Sequence, residues 1–395
     1  MKSSMPSNTF YLLTGTFIIL SILGQVSTSI YSPFFYDLAV MYNSHVGVIE
    51  KSVAIFLVAF SMSQLVFGIV CDYVNKQKLL LCGILVFGAG TIMLVFADTE
   101  KTFLIGRIIQ GLGGGVGVSV SRGLSRQIFS EKQLNTSLSL TNIAFAVAPA
   151  IAPLVGTMIG ESFSTPAIFY FVLLMGAVAL LLLLSVTSTV SQYIPSNSKN
   201  ILSETLVLIK ASIIKIAAVG MASGLLYGIV FSFITAAPSM VMEQFGLSKT
   251  MFSIYSLFAT LSFVLGSVMN IRLVATPVLQ KFRLSSLSIF VLSLVFWFLA
   301  VQLNVNALAI VLGFSYVVFF FIGIAMPCSV TIILGFSGTS AGFLAALTGF
   351  FHLTGAAIGA YAVTLFKMEP TASFAYTTSA LSVASIVICF TLKKH

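Results

Sequence analysis

The 395-residue sequence predicts an all-α membrane protein, with twelve transmembrane helices in two pseudo-equivalent six-helix bundles. Three observations carry that expectation. Charged residues make up 7% of the chain, where a soluble domain uses about 25%. Hydrophobic residues make up 58%, gathered into runs that repeatedly reach the roughly 20 residues a helix needs to cross about 30 Å of hydrocarbon. The runs are long blocks, not the short alternating segments of a barrel, and an open sheet would leave backbone groups unpaired in lipid.

Breaks at charged and Gly/Pro/Asn-rich stretches place the spans near 10–34, 52–71, 79–97, 103–126, 136–160, 166–187, 213–237, 251–270, 285–303, 306–331, 340–365 and 372–392. The first run lacks a basic leader and a small-residue cleavage site, and reads as a retained span. With the N-terminus in the cytoplasm, the inside segments hold fourteen Lys/Arg, among them Arg122 and Arg126. The outside segments hold four: Lys51, Lys101, Lys249 and Lys367. That bias puts both termini in the cytoplasm. The polar stretch 189–212, rich in Ser, Asn and Gln, reads as a cytoplasmic linker between bundles 1–188 and 213–395, with an amphipathic piece at Leu202–Ile209. Gly68-Ile-Val-Cys-Asp72 closes the second span and Gly266-Ser-Val-Met-Asn270 the eighth, an echo that fits a parallel repeat with a cavity between the units.

Composition also narrows function. The formal net charge is +9, but the cations fall in short groups between apolar runs, so membrane lipid is the expected partner and nucleic acid is not. Cys71, Cys82, Cys328 and Cys389 are too scattered for a disulfide framework or a metal site. No phosphate-binding Gly-x-x-x-x-Gly-Lys-Ser/Thr occurs, and no cofactor is expected. An enzyme would need converging catalytic groups at membrane depth, where only Arg107 and His352 stand.

Placing an arginine inside a span costs at least about 2.5 kcal/mol, so Arg107 reads either as the wall of a cavity or as a side chain reaching back to the interface. Arg107, Gln110 and Gly111 share one helix face by their three- and four-residue spacing. Pro149, Pro153 and Gly156 predict a kinked fifth span, or a helix made for close packing. His352 reads as a proton-exchanging group or as a neutral histidine hydrogen-bonded in the bundle.

These stretches resemble signatures of the major facilitator superfamily. Gly68, Asp72, Lys76 and Lys78 match Gly-x-x-x-Asp-Arg/Lys-x-Gly-Arg-Arg/Lys, with Tyr73 in the first basic position and Asn75 at the second glycine's. The resemblance implies a conformational latch between helices. Arg107, Gln110, Gly111 and Gly113 resemble the fourth-span signature Arg-x-x-Gln-Gly-x-Gly, and Ala148-Pro149 through Gly156 resemble the antiporter signature of drug exporters. Ser27–Pro33, Phe233–Pro238 with Phe245–Ser248, and Ala341–Phe350 are similar to the bicyclomycin/chloramphenicol-resistance (Bcr/CflA) branch.

The resemblance implies a monomeric bacterial inner-membrane antiporter that exports small amphiphilic compounds against protons. Its substrate cavity would draw on Ser29, Tyr31, Arg107, Gln110, Asn142, Tyr227 and Phe233, with Arg107 and His352 as coupling candidates. One departure stands out. Ser29 occupies the place of the branch's first-span acid, so a cation loses its counter-charge, and neutral, anionic or zwitterionic cargo beside Arg107 gains ground. Export of an endogenous metabolite such as a siderophore, or uptake by the same fold, are the alternatives.

Overall fold

The computed structural model describes residues 5–71, 73–193, 202–305, 307–336, 341–366 and 368–391, with backbone alone for 188–193, 202–212, 341–342 and 391. Twelve helices among these residues are long and apolar enough to cross a membrane. They are α1 (Ser7–Ser29), α2 (Val46–Val70), α3 (Lys76–Val95), α4 (Glu100–Ile128), α5 (Glu131–Ser162) and α6 (Ala167–Tyr193). The second set is α7 (Leu202–Pro238), α8 (Lys249–Arg272), α9 (Val278–Trp297), α10 (Leu308–Leu334), α11 (Ala341–Ala362) and α12 (Pro370–Thr391).

Local chemistry sets the boundaries. Asn75, at the second glycine's place in the signature, caps α3 by accepting from the Gln77 and Lys78 N–H groups at 3.0 and 3.1 Å. Thr99 caps α4 through the Thr102 N–H, and Ser248 caps α8 through the Met251 N–H, both at 3.2 Å. At Pro33 the first span breaks into a 3-10 turn, Ser32–Phe34, before continuing as a short helix, Phe35–Met41.

Several helices outrun the apolar windows that announce them. α9 starts at Val278 instead of 285, because Lys281 is buried and its Nζ donates to the Asn270 carbonyl at 3.2 Å. α7 starts at Leu202 instead of 213, so the second half of the expected linker 189–212 belongs to a helix, and residues 194–201 lie outside the described residues. Lys367 lies outside them too.

The two halves repeat one packing scheme. In the first, α1 packs on α4, α5 and α6, α4 on α2 and α3, and α3 on α6. Six helices on, the same scheme returns: α7 packs on α10, α11 and α12, α10 on α8 and α9, and α9 on α12. The halves meet along α2/α11 and α5/α8, a pair of contacts that the repeat exchanges.

Close approach within each half rests on missing side chains. In α4, a Cβ at Gly111 would stand 2.7 Å from the Phe56 carbonyl oxygen, and one at Gly113 would collide with the Phe87 backbone. The second half uses a different set, pressing Gly224 and Gly228 of α7 onto Gly355 and Gly359 of α11. The Gly68/Gly266 echo likewise ends in unlike contacts. Gly68 faces Ala346 across the halves, whereas Gly266 abuts Phe320 within its own half.

Candidate functional site

An even number of spans brings the start of α1 and the end of α12 to one side, here the terminal face. At the opposite face the halves are tied by polar contacts. Lys249 forms an ion pair with Asp37 at 2.7 Å and lies 4.1 Å from the Phe34 ring centre. Ser239 donates to Glu50 at 2.8 Å, and the Thr157 and Ser253 hydroxyls meet at 2.8 Å. Sequence reading missed all of these, because each partner sits in the other half and no local spacing links them.

Arg107 stands near that face but looks inward to its own half, and is fully enclosed at 0% exposure. Its guanidinium lies between the Tyr31 and Phe56 rings, 4.6 and 4.3 Å from their centres. Nη1 donates to the Ser27 carbonyl at 2.9 Å and to Gln110 Oε1 at 2.5 Å, and Gln110 Nε2 donates to Thr91 at 3.0 Å. Nε and Nη2 make no hydrogen bond among the described residues. The expected cavity-wall arginine is thus a caged one in this conformation. Two aromatic faces and two oxygens replace its water, and such cation–π contacts strengthen when desolvated.

The neighbouring expectations are corrected in the same way. Tyr31 is enclosed, with its hydroxyl 2.7 Å from Ser52. Ser29 is enclosed because its hydroxyl is spent on backbone, donating to the Gln25 carbonyl at 3.4 Å and the Pro149 carbonyl at 3.3 Å. Pro153 has no N–H for that Pro149 oxygen, so Ser29 supplies the donor that the proline removed. Gly156 completes the α1/α5 junction, since a Cβ there would overlap the Ile30 carbonyl. Phe233 is core of the second half, packed on Phe319 and Phe374 with ring centres 5.5 and 5.9 Å away.

Groups that keep accessible surface lie toward the terminal face. Arg122 of α4 donates from Nη2 to Asn142 Oδ1 of α5 at 3.2 Å, and its guanidinium is 5.9 Å from the Phe145 ring centre. Opposite, His352 of α11 sits within electrostatic reach of Arg122, across the boundary between the halves. Asn142 is exposed, and Arg122, Tyr227 and His352 are partly so. Asn142 and His352 stand on pseudo-equivalent helices, α5 and α11.

Two serines of the second half flank His352. Its Nε2 lies 3.1 Å from the Ser223 hydroxyl and 3.3 Å from that of Ser329. Both hydroxyls can also donate to carbonyls of their own helices, Ser223 to Val219 and Ser329 to Met326. Either serine can accept from or donate to the ring nitrogen, so the site can hold His352 in either neutral tautomer. The Tyr227 ring stands 6.2 Å away.

The signature around the α2/α3 turn is only partly in view. Gly68 packs against Ala346, where a Cβ would lie 2.6 Å from the alanine Cβ. Lys76 is buried with its chain alongside Gly123, Lys78 is exposed, and Asp72 lies outside the described residues. The four cysteines are free thiols.

Repeated bundles in an apolar shell, with polar ties between the halves at one face and partly exposed polar groups of both halves toward the other, suit a membrane transporter. The chain belongs to the Major Facilitator Superfamily, which matches residues 17–360. It is 24% identical over 380 residues to a bicyclomycin resistance protein homolog of Haemophilus influenzae, covering 95% of this chain and 94% of that one. It is 27% identical over 160 residues to multidrug resistance protein D of Escherichia coli, where the match spans 40% of this chain and only 41% of the relative. The solved structure of the POT family transporter PepTSo superimposes with a TM-score of 0.75 at 11% identity, over 98% of this chain and 97% of that one. A D-xylose-proton symporter gives 0.73 at 12% identity, over 96% and 97%. Both share the fold.

Proposed function

We propose that this protein exports small amphiphilic compounds across the bacterial inner membrane by alternating access, as a monomer and in exchange for protons. The observation that carries the reading is the asymmetry between the faces. The halves share an ion pair and hydrogen bonds at one face, while toward the other they meet through the close α2/α11 packing of Gly68 on Ala346, beside partly exposed polar groups of both halves. With the terminal face in the cytoplasm, as the Lys/Arg bias favours, cargo enters from inside, and export requires the opposite face to part. Relatives named for bicyclomycin and multidrug resistance support drug-like cargo.

In this reading Asn142, Tyr227 and His352 meet cargo, and His352 exchanges the coupling proton. Arg107 and Gln110 hold α4 against α1 and α3, so their part in transport is to keep the moving half rigid. Gly68, Asp72, Lys76 and Lys78 act as the latch at the terminal face, and the Pro149/Pro153 kink as the bend along which the halves rock. The test is flux into inside-out proteoliposomes under an imposed pH gradient. The parent should accumulate substrate when the lumen is acid, and His352→Ala should leave only downhill flux. Unchanged gradient-driven flux in His352→Ala removes histidine from the coupling.

A further inference from the structure

Arg122 has no place in the functional reading so far. The sequence assigns it to a cytoplasmic segment, yet it lies six residues before the end of α4, about 9 Å from that end by helical rise. Among the described residues its partners are an amide oxygen and an aromatic ring.

The groups around it share one polarity. Asn142 gives its oxygen to Arg122, which leaves its NH2 to donate outward. Tyr227, across the boundary, keeps accessible surface, and its hydroxyl has no partner among the described residues. Arg122 itself uses one of its five N–H donors on Asn142. Phe145 and the Tyr227 ring supply apolar walls. Arg122 thus offers unspent donors and a fixed positive charge beside the Asn142 amide, with His352 of the other half within electrostatic reach. A planar fork of this kind matches the two oxygens of a carboxylate or sulfonate.

We infer that Arg122 is the specificity-determining residue of the boundary crevice and selects amphiphiles that carry an anionic group. The inference rests on the proposed transport function and names its substrate class. Cargo would place its acid on Arg122 and Asn142 and its ring system between Phe145 and Tyr227.

The test uses three probes with one ring system: 1-naphthylacetate, 1-naphthylacetamide and 1-naphthylmethylamine. Equilibrium binding is measured on the full chain in phosphatidylcholine nanodiscs, so that no anionic lipid competes, and flux is measured in proteoliposomes. The parent should bind the acid about tenfold or more tighter than the amide, as expected for a hydrogen-bonded charge, and the amine most weakly. Arg122→Gln should lower acid binding about tenfold or more and bring the acid-over-amide ratio near one, and Arg122→Lys should keep part of the preference. Equal binding of the three probes by the parent, binding of none, or an Arg122→Gln loss shared by all three overturns the inference. If the amide or amine is carried and the acid is not, the transport reading survives and the inference falls. If the acid binds with preference but nothing moves, the inference stands and the transport reading falls.

Discussion

At the scale of residues, the fold treats proline and arginine as liabilities and answers each with a specific partner. Ser29 stands in for the N–H that Pro153 lacks, at the Pro149 oxygen. Ser29→Ala should therefore cost about 1 kcal/mol where Pro153 is present, the usual net value of such a bond. In a Pro153→Ala background, where the helix regains its own donor, the cost should fall. A double-mutant cycle on thermal unfolding in detergent reads the coupling, and additive effects would separate the two residues. Arg107 makes the larger case. Arg107→Ala removes two ring contacts and strands the Ser27 and Gln110 oxygens, so it should lower the melting temperature by several degrees, with Arg107→Lys intermediate. Equal melting of parent and Arg107→Ala would contradict a caged role.

At the scale of elements, the twelve spans were legible because a helix must be apolar over about 20 residues to cross lipid. The facing of Arg107 and Gln110 was legible from their spacing, and the two do bond at 2.5 Å. The direction of that face was not legible, since periodicity relates residues within a helix and carries nothing about which neighbour the face meets. Arg122, counted with a cytoplasmic segment, lies inside a helix. Counting cations by loop assumes spans of minimal length, whereas α4 is 29 residues long and carries Arg122 within it. Glycines give the sharpest test of helix packing. Gly113→Ala would set a Cβ into the Phe87 backbone, whereas at Gly88 nothing lies within 4 Å. Gly113→Ala should sharply reduce the monodisperse fraction after extraction, and Gly88→Ala should leave it unchanged. Similar yields for both would contradict the α3/α4 packing.

At the scale of the whole molecule, the repeat explains how one chain can hold two arrangements. Each half is a closed packing scheme of its own, and at the opposite face a few polar contacts add to the α5/α8 packing. Those contacts are individually weak. The Asp37/Lys249 side chains are 35% and 27% exposed, and a pair of that kind contributes about 0.2–1 kcal/mol. Small energies suit a closure that must open in every cycle, because a lock of many kcal/mol would trap one state. Charge exchange in Asp37→Lys/Lys249→Asp should restore flux lost in either single variant, measured in proteoliposomes. Failure of the double variant to recover would leave the pair without a part in closure.

The most direct measurement of alternating access joins Asp37→Cys to Lys249→Cys by a disulfide, in a chain whose four native cysteines are replaced. Oxidation should stop flux completely and reduction should restore it, and in a separate oxidised chain that also carries Asn142→Cys a thiol reagent should still arrive from the terminal face. Continued transport with the opposite face covalently shut would contradict the mechanism.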